Sequence, residues 1–424
     1  MSASWCIKNG RIIDPVNNID RIADLLVVDG RIKGVDQPTP PDVPEINAQG
    51  LWVVPGLIDM HVHLREPGQE YKEDILSGAR AAAAGGFTGV ACMPNTHPVN
   101  DCATVTAMIM DRAAAAAVRV YPVGAISLGS EGKQLAEYGE MRQAGIVAVS
   151  DDGRPVRDSQ LMRRAMEYAS DFGLPVISHS EEATLSAGVM HEGPVATRLG
   201  LKGIPAAAEA IMVYREIALA ELTGARVHIA HVSTAMATEL IRAAKGRGVR
   251  VSAETAPHYF TLTDEAVQDY DTNTKMNPPL RSAADREAIR RALADSTFDA
   301  IATDHAPHSI LEKEVEFDLA ANGIIGLETA LPLTLALVRD RIIDERRLVE
   351  LLSARPAAIL GLSGGTLSAG AAADITVIDP DLQFVYTADQ VVSKSRNSPF
   401  LGQTLQGRAV LTMVDGTIRH SLLA

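Results

Sequence analysis

Two histidines separated by a single residue, His61 and His63, are the first side chains in this chain that could do chemistry. They follow the apolar run 51–54 and the turn signal at 55–56, a pattern typical of a strand that ends at a loop. Residues two apart on a strand point to the same side, so both imidazoles can face one point. Neutral imidazole is a common metal ligand, and the pair therefore indicates a metal site, with an ordinary polar strand end as the alternative.

The bulk composition allows a large buried core and excludes some classes of partner. The chain has 424 residues, of which 46% are hydrophobic and only 4% aromatic, as expected for aliphatic strands under alanine-rich helices. A formal net charge of −14 argues against nucleic acid and anionic membranes as partners, since both require a basic surface.

Three further features favour a cytoplasmic enzyme. Three cysteines, Cys6, Cys92 and Cys102, match no metal or redox spacing, and so low a count fits a reducing compartment. The first residues lack the basic and apolar regions of a signal peptide. No stretch approaches the roughly 20 apolar residues of a membrane helix.

Both ends of the chain are rich in short strands and hairpin signals, such as Asn9-Gly10 and Asp415-Gly416. The middle instead alternates apolar β runs with helical patterns. Helices are predicted at 71–84, 159–172, 206–223 and 235–245, and β runs at 53–54, 89–93, 118–123, 146–149, 174–177, 226–230, 249–252 and 298–302. Eight alternations predict an α/β fold, a (β/α)8 TIM-type barrel at 53–364, with a small β-sandwich domain built from 1–52 and 365–424.

Side chains that could bind metal follow the β runs at the end where barrel enzymes place their active sites. They are His61 and His63 after the first run, Asp151 and Asp152 after the fourth, His179 after the fifth, His231 after the sixth and Asp304 after the eighth. Because the carboxyl ends of the strands meet on one face, we expect these residues to form one site.

The residue types suit two divalent ions that share a bridging carboxylate and a hydroxide. His61, His63 and Asp304 would hold one ion, and His179 and His231 the other. Asp151 or Asp152 would bridge them. The metals would lower the pKa of the bound water, and the metal-bound hydroxide would attack a carbonyl. Asp304 would act as general acid and base, passing the proton to a leaving nitrogen.

Four longer motifs carry a family resemblance. They span residues 61–68, 93–95, 275–281 and 302–308, with the sequences HVHLREPG, MPN, KMNPPLR and ATDHAPH. Together they resemble the dihydroorotase family of the amidohydrolase superfamily over nearly the whole chain. The resemblance implies reversible interconversion of N-carbamoyl-L-aspartate and L-dihydroorotate in de novo pyrimidine (UMP) biosynthesis, with one or two Zn²⁺ ions per subunit.

The resemblance also implies roles for individual residues. Many relatives bridge their metals with a carboxylated lysine, but this chain has Asp151 and Asp152 after the fourth β run, as in the bacterial subgroup that uses aspartate. The spacing to His179 favours Asp152, with Asp151 as the rival. Residues expected to contact the substrate are His63, Arg65, Asn95, Asn277, His308 and, through backbone groups, Asn322 and Gly323.

Arg65 with Asn95 favours an acidic ring, because a guanidinium binds a carboxylate in a bidentate manner. The alternatives are a hydantoinase, dihydropyrimidinase or allantoinase, and a non-catalytic partner of aspartate transcarbamoylase. An active enzyme could also bind that transcarbamoylase, and we expect a homo-oligomer. Segment 309–323 is a candidate lid. Glu254 is expected to be solvated and His228 to be a core histidine.

Overall fold

The computed structural model describes residues 4–423 and contains an eight-stranded parallel barrel. Its strands, in order around the barrel, are Leu57–Val62, Phe87–Cys92, Arg119–Gly124, Ala148–Ser150, Val176–Ser178, Val227–Ile229, Val251–Thr255 and Ala300–Ile301. A parallel bridge between Val62 and His305 joins the two ends of this series. The predicted (β/α)8 fold class is confirmed.

The two termini build a second, mixed sheet of eight strands. Its strands are Trp5–Asp14, Ile19–Val28, Arg31–Val35, Glu45–Asn47, Trp52–Pro55, Ile375–Val385, Thr404–Val414 and Thr417–Ser421. The strand Trp52–Pro55 pairs with Trp5–Asp14 on one side and with Ile375–Val385 on the other, so it joins the two halves of the sheet.

This pairing corrects the sequence prediction for the first barrel strand. Val53 and Val54 belong to the terminal sheet, and the barrel begins at Leu57. Both strands begin with apolar residues and are buried, so this short stretch of sequence does not separate them; the sheet with which each strand pairs does. We propose Gly56 as the boundary between the two domains.

Helices follow most barrel strands. They are Ile75–Ala84, Ala103–Ala113, Tyr138–Ala144, Ser159–Asp171, Pro194–Leu199, Ala207–Thr223, Ala235–Gly246, Pro257–Thr261, Ala283–Ala294, Ile310–Lys313, Ala330–Arg339, Glu345–Val349 and Arg355–Leu360. Shorter elements are the helical turns Leu128–Ser130, Asp264–Val267, Thr272–Thr274 and Glu350–Ala354 and the strand pair Met190–His191 with Gly203–Ile204. None of the helices within residues 4–423 is long and apolar enough to cross a membrane.

Side-chain caps set the starts of several helices. The first helix was predicted from residue 71 but begins at Ile75 because Asp74 caps it. The Asp74 carboxylate accepts from the backbone N–H of Ser77, and the Ser77 hydroxyl oxygen accepts from the backbone N–H of Asp74. This reciprocal capping satisfies backbone donors that the first helical turn leaves free. Asp158 caps the helix Ser159–Asp171 in a similar way.

Separate hydrophobic cores support the two units. Apolar side chains such as Met60, Ala91, Ala148 and Ile177 fill the barrel interior. Aliphatic residues of the terminal sheet, including Ile7, Leu25 and Val377, form another cluster. At the junction, the Arg119 guanidinium donates to both carboxylate oxygens of Asp374, over 2.8 and 3.2 Å. The sheet therefore stabilises the barrel from outside.

Candidate active site

The first barrel strand presents two buried imidazoles at its carboxyl end. His61 lies in the strand Leu57–Val62, and His63 follows it, with its backbone N–H bonded to the carbonyl of His305. His61 Nε2 lies 3.4 Å from Asp152 Oδ1, and His63 Nε2 lies 3.1 Å from Asp304 Oδ1. The two rings therefore face the same point, as their spacing predicts.

Histidines from the opposite wall complete the cluster. His179 Nδ1 and His231 Nε2 lie 2.9 Å apart, and Asp152 Oδ1 is 3.6 and 3.5 Å from these two nitrogens. His231 adopts a left-handed backbone conformation with φ of 34°, as does Asp304 with φ of 47°. Positive φ is uncommon for residues other than glycine, and such backbone conformations are concentrated at functional sites.

The donor set fits a divalent metal. Two groups, His61 with His63 and Asp304, and His61 with Asp152 and His231, each place three ligand atoms within 4.8 Å of one another. Donors on a tetrahedron around zinc would lie about 3.3 Å apart, since Zn–N bonds are about 2.0–2.1 Å long. Among the described residues, the buried His61 Nε2 and Asp152 Oδ1 have no hydrogen-bond partner. Buried polar atoms are normally satisfied, so these two atoms fit the role of metal donors.

Charge keeps the carboxylates of this cluster in the form that binds metal. Burial alone would raise the pKa of Asp304, but His61 and His63 outweigh it and hold that pKa below its ordinary value. Asp152 behaves similarly, because His61, His179 and His231 outweigh its burial and keep its pKa well below the usual range. Both groups are therefore carboxylates at neutral pH.

Asp151 and Asp152 turn in different directions. Asp151 accepts from the backbone N–H groups of Ile126 and Ser127 and from the Ser127 hydroxyl, at 2.8, 3.1 and 2.5 Å. Those bonds hold it among the loops outside the cluster. Asp152 instead faces the histidines, so the geometry favours it over Asp151 as the bridging ligand.

Glu254 is a residue that the sequence prediction assigned wrongly to solvent. It is buried, and its Oε1 lies 3.1 Å from His61 Nδ1 while its Oε2 lies 3.2 Å from His228 Nε2. Burial opposes its ionisation, but His228 and His61 lower the pKa of Glu254 to about 2. As a carboxylate, Glu254 accepts a hydrogen bond from the Nδ1–H group of His61, and this leaves His61 Nε2 free to bind metal. The signal in the sequence for its burial was its position two residues after Ser252, where the predicted β run 249–252 ends. The strand itself spans Val251–Thr255 and so includes Glu254.

Asn95 performs a related task for His63. Its Oδ1 lies 2.9 Å from His63 Nδ1, and its Nδ2 donates to Asp152 Oδ2 over 3.3 Å. The amide thus fixes the tautomer of His63 and links two ligand residues. The structure places Asn95 beside the metal cluster as well as on the cavity wall that was predicted to bind substrate.

A cavity of about 200 Å³ opens beside the cluster. Its lining includes most of the predicted substrate residues, namely His63, Arg65, Asn95, Asn277, His308 and Asn322. Asn277 Nδ2 donates to Glu181 Oε2 over 3.3 Å, and its buried Oδ1 has no partner among the described residues. That oxygen is free to accept a hydrogen bond from a ligand.

The predicted contact of Gly323 with a substrate ring has no support in this geometry. Gly323 is absent from the cavity lining within the described residues. Its N–H donates to the carbonyl of Lys275 over 2.9 Å, and its carbonyl accepts from Lys313 and Asn397. Both backbone groups are therefore already engaged, and Asn322 alone of this pair reaches the cavity.

Arg65 and His308 form a buried pair at one end of the cavity. Arg65 Nε donates to the carbonyl of Pro307 over 3.2 Å, and Arg65 Nη2 lies 3.2 Å from His308 Nε2. Burial and the neighbouring guanidinium lower the pKa of His308 to about 3, so its imidazole is neutral and accepts from Arg65. Burial lowers the pKa of Arg65 to about 10, which leaves it charged at neutral pH. The pair therefore places a charged guanidinium on the cavity that the His/Asp cluster also lines.

The candidate lid, 309–323, is bonded to its surroundings in this structure. Lys313 Nζ donates to the carbonyls of Ala321 and Gly323 at 2.8 and 3.2 Å. Lys275 Nζ donates to the carbonyls of Phe317 and Asp318. Two largely buried ammonium groups thus hold the segment over the rim of the cavity, and its movement stays a prediction.

Comparisons with known proteins agree on the family. The family described as "Dihydro-orotase-like" matches residues 50–237. The chain is 60% identical to a dihydroorotase of Geotalea daltonii, with 98% of each chain covered. It is 62% identical to a dihydroorotase of Desulfotalea psychrophila, covering 97% of this chain and 98% of the relative.

Solved structures with the same architecture include hydantoinases. An L-hydantoinase (dihydropyrimidinase) from Arthrobacter aurescens superposes with a TM-score of 0.88 at 26% identity, covering 99% of this chain and 96% of that one. A D-hydantoinase gives a TM-score of 0.85, also at 26% identity, over 98% and 95% of the two chains. Near-full coverage at about 60% identity is decisive, and the chain belongs to the dihydroorotase family of cyclic amide hydrolases.

Proposed function

We propose that this enzyme interconverts N-carbamoyl-L-aspartate and L-dihydroorotate, a step of de novo pyrimidine synthesis. The observation that carries the proposal is the Arg65–His308 pair, which lines the same cavity as the ligand cluster. An acidic ring could place its carboxylate at Arg65 and its amide at the cluster. The names of the relatives at about 60% identity support the same substrate.

The cluster is suited to one or two zinc ions. The residues that would hold them are His61, His63, Asp152, His179, His231 and Asp304. Bound zinc would polarise the amide carbonyl and lower the pKa of a water molecule. Glu254 and Asn95 would orient the ligands His61 and His63 through their Nδ1 atoms.

Asp304 is the candidate general acid and base. Its carboxylate lies between His61 and His63 at the base of the cavity. Acting on the cyclic amide, it would accept a proton from the attacking water and deliver it to the ring nitrogen. The C–N bond then breaks without release of an unstable amide anion.

The rest of the cavity would orient the ring. Arg65 would bind the carboxylate through its fixed fork of N–H donors, and neutral His308 would hold the guanidinium in place. The free Oδ1 of Asn277 could accept from a ring N–H. Such fixed contacts bring the scissile amide to the attacking group and so lower the entropic barrier.

The hydantoinase fold of the structural neighbours makes a neutral ring the alternative substrate class. The test compares turnover of L-dihydroorotate, dihydrouracil and allantoin by the zinc-loaded enzyme. We expect turnover of L-dihydroorotate and little of the two neutral rings. Zinc-loaded protein that hydrolyses dihydrouracil or allantoin but not L-dihydroorotate would contradict the proposal.

The proposed carboxylate-binding role of Arg65 can be tested by Arg65→Lys. Lysine keeps the charge but loses the planar fork, so we expect KM for L-dihydroorotate to rise about 10- to 100-fold. Arg119→Lys is a matched control, because it removes a bidentate arginine–carboxylate pair at the junction with the terminal sheet. That variant should lose thermal stability and keep its KM. An unchanged KM for Arg65→Lys would exclude Arg65 as the carboxylate ligand.

A non-catalytic partner of aspartate transcarbamoylase would be expected to lack some of the metal-binding residues. In this chain every residue predicted to bind metal is present and lies in or beside the cluster. Zinc content of the purified protein, with His61→Ala as the control, separates the two. Association with aspartate transcarbamoylase and homo-oligomer formation stay predictions.

A further inference from the structure

A short extended segment near the C-terminus, residues 391–397, crosses the mouth of the barrel; we call it the strap. Its side chains alternate between buried and exposed positions, and the buried ones are Val391, Ser393, Ser395 and Asn397. This segment lies between two strands of the terminal sheet, Ile375–Val385 and Thr404–Val414. The terminal domain therefore sends one piece of chain to the catalytic end of the barrel.

The strap is bonded to the loops that surround the cavity. The backbone N–H groups of Val392 and Ser393 donate to the Glu328 carboxylate at 3.0–3.2 Å. The Ser393 hydroxyl donates to buried Glu73, and the Ser395 hydroxyl donates to the carbonyl of Lys72 over 2.8 Å. These partners come from loops after the first and the last barrel strands, so the strap fixes them relative to each other.

Asn397 makes the bonds closest to the cavity. Its side chain is 3% exposed, and its Oδ1 accepts from the backbone N–H of His308 over 3.0 Å. Its Nδ2 donates to the carbonyls of Ala306 and Gly323 at 2.9 and 3.0 Å. One amide thus joins the segment 306–308 to Gly323, and all three bonds end on backbone atoms.

The segment 306–308 is also what holds Arg65. The Pro307 carbonyl accepts from Arg65 Nε, and His308 Nε2 accepts from Arg65 Nη2. A shift of this segment would carry the guanidinium with it. The bonds therefore form a series from Asn397 through the backbone of His308 to Arg65.

Gly323 shows how closely the joined segments approach. A Cβ at this position would lie 2.5 Å from the carbonyl oxygen of Ala306 and 2.7 Å from His308 Cδ2. Only a residue without a side chain fits so near these atoms. The Asn397 amide bonds to both sides of this contact. Loss of that amide should therefore change the spacing between the segment 306–308 and Gly323.

We propose that Asn397 is a positioning residue that holds the carboxylate-binding pair, Arg65 and His308, in register with the metal cluster. This inference rests on the proposed function, because it needs an acidic ring substrate. Asn397 touches no reacting atom in this arrangement and acts through the segment 306–308. Its removal should therefore weaken substrate binding and leave the chemical step largely intact.

Asn397→Ala tests the proposal in the full-length, zinc-loaded enzyme. We expect KM for L-dihydroorotate to rise about 10-fold with kcat within about threefold, since misplacement by a fraction of an ångström is costly. Ser353→Ala is the control: the buried Ser353 hydroxyl donates to the carbonyls of Pro55 and Gly56 at the start of the first barrel strand. That variant should lose thermal stability and keep KM.

Asn397→Asp provides a second variant that keeps the volume and the acceptor for the His308 N–H but loses both donors. It should also raise KM, and it decides the matter if the alanine variant does not fold. An unchanged KM in either folded variant, or a fall in kcat alone, would overturn the inference. Wild-type protein without L-dihydroorotate turnover would instead overturn the proposed function, so the two failures are distinguishable.

Discussion

The terminal sheet and the mouth of the barrel use left-handed backbone conformations for different purposes. In the terminal sheet, Asp29 and Asp415 have positive φ, and each precedes a glycine in a tight turn between strands. Asn9 also has positive φ before Gly10, but it lies at a β-bulge inside the strand Trp5–Asp14, so the hairpin turn predicted at Asn9-Gly10 is wrong. Asparagine and aspartate tolerate this conformation and are typical of such turns. At the barrel mouth, Arg65, His231 and Asp304 also have positive φ, but none of them precedes a glycine. There the conformation aims a side chain into the cavity.

Buried polar groups show the same contrast. Asp14 in the terminal sheet is fully buried, and its carboxylate accepts from Val16, Asn17 and Leu367. At the barrel mouth, buried atoms such as His61 Nε2 and Asp152 Oδ1 have no partner among residues 4–423. Satisfied groups stabilise a fold, while unsatisfied ones are available for a ligand. The Asp14 carboxylate therefore stabilises the sheet, whereas these atoms of the mouth are available to bind a ligand.

The largest effect expected from this contrast concerns two buried aspartates. Asp304→Asn removes the proposed general acid and base, so kcat should fall about 1,000-fold. Asp374→Asn alters a carboxylate of the terminal sheet that accepts from Arg119 and from the Asp415 backbone. It should lower the melting temperature without changing kcat. Steady-state kinetics, thermal unfolding and metal content measure the difference; similar kcat values for the two variants would break the comparison.

An intermediate effect is expected at Glu254, which orients a ligand without touching the cavity. Glu254→Gln should weaken zinc binding about 10- to 100-fold, and excess zinc should restore activity. Competition with a chelator measures the affinity. Glu345→Gln, which removes an ion pair with Arg11 of the terminal sheet, should leave zinc binding unchanged. Equal zinc affinity in the two variants would show that Glu254 has only a structural role.

The smallest effect is an absence of pH dependence in substrate binding. The pKa of His308 is lowered to about 3 and that of Arg65 to about 10. A histidine with a lowered pKa stays neutral as pH falls until about 3, and the arginine stays charged until about 10. KM for L-dihydroorotate at saturating zinc should therefore be constant between about pH 6 and 8.5. A several-fold change in that range would show that one of the pair titrates there.

Much of the site was predictable because a (β/α)8 barrel brings the carboxyl ends of its strands to one face. His61, His63, His179, His231 and Asp304 all follow apolar runs and meet as predicted. Strand positions were less certain: Val53 and Val54 were placed in the barrel but pair in the terminal sheet. An apolar run does not specify its partner strand, so only the assembled sheets resolve it.

Residues that act through other residues were the hardest to predict. Glu254 looks like an ordinary acidic residue until the fold buries it between His61 and His228. The strap carries a visible alternation, but three of its four buried side chains are polar, which hides the pattern from a search for apolar periodicity. Gly323 was assigned to substrate, whereas its backbone groups bond within the protein.

The sequence by itself determined the barrel, the terminal β domain and the ring of candidate metal ligands, because strand periodicity and topology place side chains without knowledge of long-range contacts. Only the tertiary structure shows that Asp152, and not Asp151, faces the histidines. Adjacent residues point in different directions, and the bonds from Ile126 and Ser127 hold Asp151 away from the cluster. The same holds for Asn397, whose three bonds join segments separated by more than 70 residues, a proximity that no local pattern encodes.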